Sequence, residues 1–262
     1  MVAADPAARD KAPRVAALVD VAVPRIAGIV GTADLRPIPL IIYTDRTAML
    51  QAAGMPPRST VVGVAALPSG VIYLDGTERL AGIEKVVPHE VAHVLIARAV
   101  GPALPAVPLW LNEGIAEYAA GATASRVDPI WLRAIGQGQS LGIGELDRAI
   151  SDRGDEAGLA YAQAASIVNF LVAQRGEGVI ADLLRAIARS EDFEAALQQV
   201  TGWQQSEMES AWRRAASRSW RWPLLFESQL IWFGLMVLLF LAGLVRYLRE
   251  RRRRQETPGD DW

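Results

Sequence analysis

Apolar positions recur with two different periods along the chain, and the change of period divides it. Val15, Leu18, Val19, Ala22 and Val23 return at helical intervals, which predicts a helix over residues 13–30 broken at Pro24. Residues 38–43 (Ile-Pro-Leu-Ile-Ile-Tyr) are rich in β-branched side chains and run into Thr44-Asp45, the signature of a strand and its turn. A short helix is expected over residues 46–54. Residues 61–66 and 71–74 read as a hairpin around Leu67-Pro68-Ser69-Gly70. A helix follows over residues 87–100, with Pro88 in its first turn, where a missing N–H costs nothing. It stops near Gly101-Pro102, and Pro102, Pro105 and Pro108 mark a loop into the next helix. From about residue 127 the period is helical throughout: 129–135, 157–175, 179–189, 193–200 and 206–217, with glycine breaks at 136–138 and 142–144. Strands first and helices afterwards define an α+β domain, with a small N-terminal antiparallel or mixed sheet and a mainly helical C-terminal half.

The pattern changes again near the C-terminus. Residues 228–245 hold no charged side chain. Eighteen helical residues extend about 27 Å, close to the roughly 30 Å hydrocarbon core of a bilayer. Trp220, Trp222, Trp232 and Tyr247 suit the interfacial belts, and Arg246, Arg249 and Arg251 to Arg254 follow at once. The expected organisation is therefore a domain over residues 1–222, a linker over 223–227, a transmembrane helix over 228–248 and a basic tail over 249–262. The arginines place the tail in the cytoplasm and the domain outside it. An external domain needs an export signal. Residues 1–14 carry several charges, and the apolar run 15–23 is interrupted by Asp20, so none is legible here. The reading is of a signal that these residues do not contain; a misassigned start codon and a cytoplasmic domain on a tail anchor are the alternatives.

Composition narrows the chemistry. The 262 residues accommodate one domain of about 200 residues with a true core. With 27 basic and 29 acidic side chains the net charge is −2, which gives no support to nucleic-acid binding. There is no cysteine, so disulfides, thiolate metal sites and cysteine nucleophiles are excluded together.

The two histidines of the chain both fall in His89-Glu90-Val91-Ala92-His93. Positions i and i+4 of a helix lie on one face, so both rings can address a common point. Zinc accepts neutral imidazole nitrogen, and catalytic sites use three protein ligands and leave a position for water. Glu90 is placed to reach that water rather than the ion, and can accept its proton as it attacks a carbonyl. Val91, Ala92, Leu95 and Ile96 make the segment apolar, as a buried helix requires. The third ligand is expected from Trp110-Leu111-Asn112-Glu113-Gly114-Ile115-Ala116-Glu117-Tyr118: Glu113 for the ion, and Glu117, one turn on, as acceptor for the second ring N–H of a ligand histidine. Gly114 and Ala116 suit close helix packing.

These two motifs resemble the gluzincin clan, specifically the small peptidase MA-like domains related to thermolysin and the aminopeptidases. The resemblance extends over about residues 15–215 and is specific across 86–118. It implies zinc bound by His89, His93 and Glu113, Glu90 as general base and Glu117 behind the ligands. It also implies that residues 63–66 or 71–74 form an edge strand that pairs with extended substrate. The metzincin pattern needs a third histidine, which is absent. Gluzincins place a Tyr or His beyond the glutamate ligand as oxyanion donor. Tyr161 is the candidate here, with a plain core tyrosine as the other reading and Tyr118 a weaker contender.

The expected activity is hydrolysis of peptide bonds in a peptide or protein substrate by a membrane-anchored zinc metallopeptidase. The alternatives are a zinc-stabilised binding or scaffold module without turnover, and hydrolysis of a non-peptide amide. No Gly-x-Met-x-Asn motif for recognising a free N-terminus is present, which favours endopeptidase action.

Overall fold

A computed structural model describes residues 1–57, 59–121, 134 and 139–219, and within the C-terminal apolar stretch residues 232–234, 236–241, 243–244 and 246–247. The chain divides into two compact units, Met1–Arg214 and Ala215–Trp262. In the first, β1 (Val2–Ala4), β2 (Leu40–Tyr43), β3 (Gly63–Ala66) and β4 (Val71–Asp75) form one sheet in the order β1-β2-β4-β3. β2 runs parallel to both β1 and β4, while β3 pairs antiparallel with β4 and is an edge. The sheet is mixed. Alternation explains its core: Leu40 and Ile42 of β2 and Ile72 and Leu74 of β4 are buried, while Tyr43 and Tyr73 meet on the half-covered face.

Nine helices are described in full: α1 (Ala12–Val30), α2 (Arg46–Ala52), α3 (Leu80–Val100), α4 (Leu109–Ala119), α5 (Ile143–Asp152), α6 (Ala157–Arg175), α7 (Val179–Ser190), α8 (Phe193–Thr201) and α9 (Gln205–Ser219). α3 runs against β3 and β4, with α1, α4 and α7 packed around it. It is apolar on nearly every side, as a helix enclosed by other elements must be. Asp45 caps α2 through the amides of Thr47 and Ala48, and Asp192 caps α8 through those of Glu194 and Ala195.

Two prolines depart from expectation. α1 is not broken at Pro24 but continues to Val30. Asp20 and Pro24 are both exposed, so the carbonyl left without an amide partner faces solvent. Pro88 is not in a first turn, because α3 begins at Leu80 and carries Pro88 in its interior. Packing of Val87, Val91, Val94 and Leu95 in the core outweighs a proline cost of about 3 kcal/mol. α5 and β1 are additions to the expected elements. The expected helix over 129–135 lies outside the described residues, apart from Ala134. Among the described residues no helix is long and apolar enough to cross a membrane. The expected span 228–248 falls partly on residues outside that set. The described ones are helical, and Phe233, Met236, Leu238 and Phe240 are exposed.

Candidate metal centre

His89 and His93 stand one turn apart on α3 and point toward α4, which brings Glu113 to meet them. The three donor atoms form a small triangle. His89 Nε2 and His93 Nε2 are 3.1 Å apart, and Glu113 Oε2 lies 3.3 Å from the first and 3.4 Å from the second. Donors about 2.05 Å from a tetrahedral ion are separated by about 3.3 Å, so the triangle has the dimensions of one face of a zinc site. His89, His93 and Glu113 thus form a group that could hold a metal ion. The donor set, two imidazoles and a carboxylate, fits zinc.

The outer nitrogens are also engaged. His89 Nδ1 faces Glu117 Oε1 at 3.3 Å, and His93 Nδ1 donates to Asn112 Oδ1 at 2.9 Å. With oxygen acceptors behind both rings, the proton belongs on Nδ1 and the Nε2 lone pairs converge. The expected contact of Glu117 with a histidine is present. Asn112, within the same motif, has a place that sequence reasoning missed. Its position one residue before Glu113 was the only available signal.

α4 is held from three sides. Its first amides, on Leu109 and Trp110, donate to the Asp147 carboxylate of α5 at 3.2 and 2.8 Å. A side chain distant in sequence thus acts as the N-terminal cap, opposite the positive end of the helix. On the facing side α6 comes so close that a Cβ on Gly114 would lie 2.6 Å from the Ala164 carbonyl oxygen. Trp110 fills the third side against Phe193.

Glu90 lies on α3 between the histidines and is 7% exposed. Its Oε2 accepts from the Ala65 backbone N–H of β3 at 2.7 Å. Gly63 permits this approach, since a Cβ there would meet Glu90 Cγ at 3.1 Å and Val86 Cγ1 at 2.5 Å. β3 is therefore the edge strand of the two candidates, and β4 is interior. The backbone groups of Gly63 and Ala65 alternate away from β4 toward the cleft.

These groups line one cleft of about 480 Å³, walled by β3, α3, α4, Arg153 and Tyr161. Tyr161 thus stands in the cleft with the metal group, whereas Tyr118 is not among its lining residues. Burial pushes the Tyr161 hydroxyl up to about 12, with the Glu113 charge adding to the effect. It stays a proton donor at any ordinary pH. Burial opposes a charge on His89, but hydrogen bonds to Glu113 and Glu117 outweigh it and raise its pKa to about 10 in the metal-free protein. Burial likewise works against an ionised Glu113, yet the hydrogen bonds from His89 and His93 prevail and hold it at about 2. Cation and carboxylates stabilise one another where a metal would otherwise supply the charge.

Residues 18–217 match the family description of the Peptidase MA superfamily, and the chain belongs to that superfamily. Its members are typically zinc-dependent, which agrees with the donor set found here. No match among curated proteins was found.

Proposed function

We propose that this chain is a zinc metallopeptidase of the gluzincin type that cleaves peptide bonds within an extended substrate. The observation that carries the reading is the convergence of His89 Nε2, His93 Nε2 and Glu113 Oε2 within 3.4 Å, beside the Glu90 carboxylate in one cleft. Zinc, when bound, makes water acidic near neutral pH and polarises a carbonyl.

The chain's own residues supply the rest. Glu117 and Asn112 hold the two imidazoles in the tautomer that leaves Nε2 free. Glu90, steered by the Ala65 amide, takes the proton of the attacking water and passes it to the leaving amine. Tyr161 donates its hydroxyl to the oxyanion that develops on the carbonyl. The outward backbone groups of Gly63 and the Ala65 carbonyl, the Ala65 amide being engaged by Glu90, align the substrate as a further strand on β3.

The test is zinc content and peptide cleavage by the purified chain and its Glu90→Gln variant. The variant should keep its zinc and lose kcat by several powers of ten. Full activity in Glu90→Gln removes the proposed base, and a zinc-loaded protein inactive against a broad peptide library favours the non-catalytic binding module. A lipid bilayer is the proposed partner of residues 228–248, with the arginine tail cytoplasmic and the catalytic domain across the membrane. The apolar side chains of that stretch and the six arginines in residues 246–254 support it. Release of the protein from membranes by carbonate would count against the span.

A further inference from the structure

One cation in the catalytic cleft has most of its hydrogen-bonding capacity unspent. Arg153 ends α5 in the left-handed conformation, φ 50° and ψ 29°, and lines the cleft that holds His89, Glu90 and Glu113. Its Nη1 donates to the Ser59 hydroxyl at 3.2 Å. Among the described residues no carboxylate lies within ion-pair distance of it. A guanidinium has five N–H donors in a planar fork shaped for a carboxylate, so four remain for a ligand.

The segment that carries Ser59 is itself braced. Arg46 grips the segment around Ser59, donating to the Ser59 carbonyl at 3.2 Å and the Val61 carbonyl at 3.0 Å, and its Nη1 pairs at 2.9 Å with the buried Asp75. Arg153 is thereby held at the end of the cleft where the chain enters β3. Its charge reaches the reacting region, since it opposes the rise of the Tyr161 pKa.

Charge accounting points the same way. A bound dication is offset by Glu90 and Glu113, and Lys85 acts on Glu117. Arg153 is the positive charge left over in the cleft. An acidic substrate group gains from it and a basic one is repelled.

We propose that Arg153 selects substrates carrying a carboxylate near the scissile bond, either an acidic side chain or the peptide C-terminus. The proposal rests on the peptidase reading of the cleft. A substrate strand antiparallel to β3 sends its C-terminal end toward Ser59, so residues after the cut bond meet the guanidinium.

The test uses the zinc-loaded chain and pairs of peptides differing only as Glu against Gln at successive positions, or as free acid against amide at the C-terminus. The acidic member should be favoured about tenfold in kcat/KM. Arg153→Ala should abolish the preference, and Arg153→Glu should invert it toward Lys-containing peptides, which a merely structural arginine would not do. A Glu-against-Gln effect assigns the carboxylate to a side chain; an acid-against-amide effect assigns it to the C-terminus. Equal rates for every pair in the wild type, or a preference unmoved by Arg153→Glu, overturn the proposal. Binding of the same fluorescent peptides to the zinc-loaded Glu90→Gln variant separates the two readings. If nothing is hydrolysed but the acidic peptides still bind about tenfold tighter, the peptidase reading fails and carboxylate recognition stands. If the affinities are equal as well, carboxylate recognition fails too.

Discussion

Replacing Gly114 by alanine tests whether the approach of α4 to α6 sets the metal geometry. The new Cβ would meet the Ala164 carbonyl oxygen at 2.6 Å and Val168 Cγ2 at 2.8 Å, whereas ordinary contact begins near 3.4 Å. The helices must therefore part by about 0.8 Å, because a carbonyl in the middle of α6 cannot turn aside. Gly114 lies between Glu113 and Glu117, and metal–ligand distances tolerate only about 0.2 Å. Overpacking of this kind costs about 1–3 kcal/mol, and at this size each kcal/mol lowers Tm by about 2–4 °C. Displacement of Glu113 and of the acceptor behind His89 should weaken zinc binding by about 10- to 100-fold. Chelator competition gives the affinity and calorimetry gives Tm. Gly28→Ala is the control: it is helical with nothing within 4 Å of the added carbon, and should stabilise by about 0.5–1 kcal/mol. Zinc affinity within twofold of wild type in Gly114→Ala, with an unchanged Tm, would refute the reasoning.

Tyr161→Phe should lower kcat by about 10²–10³ while zinc affinity is unchanged, measured by steady-state kinetics and metal titration on the same preparation; an unaltered kcat returns Tyr161 to a packing role. Zinc affinity should rise with pH, about tenfold per unit for each proton displaced, up to the His89 pKa of about 10, because the ion needs neutral imidazole. The metal-free protein should behave otherwise. Its raised His89 contributes stability present below pH 6.5 and lost as pH rises through about 10, and its lowered Glu113 contributes stability present above pH 4.5 and lost as pH falls through about 2. Melting of chelator-treated protein should therefore be highest between about pH 4.5 and 6.5, and a Tm that climbs steadily from pH 6.5 to 10 contradicts the pairing.

The candidate metal group was legible because helical spacing alone puts His89 and His93 on one face, and Val91, Ala92, Leu95 and Ile96 around them mark the helix as enclosed. The long helices were legible for a similar reason, and α6 matches its expected bounds of residues 157–175. α5 was hidden by glycine. Gly142 and Gly144 resemble a break, yet the first sits at the helix start, where the Glu145 carboxylate accepts its amide, and the second lies in the opening turn. β1 is three residues long, and its strand character comes from pairing with Leu40–Ile42 rather than from its own pattern. Local preference misleads at both prolines: solvent takes up the carbonyl that Pro24 leaves unpaired, and core burial around Pro88 outweighs its cost. The contacts that position the site, Asp147 on α4, Ala65 on Glu90 and Arg46 on Ser59, join residues distant in sequence and leave no periodic trace.

The bond between Glu90 and Ala65 has a consequence for how this protein can vary. The carboxylate is steered by main chain, not by another side chain, so exchanging the residue at position 65 leaves the steering donor in place. Only proline, which has no amide hydrogen, would remove it. The aim of the proposed base thus depends on the path of β3 rather than on the side chain its neighbour carries.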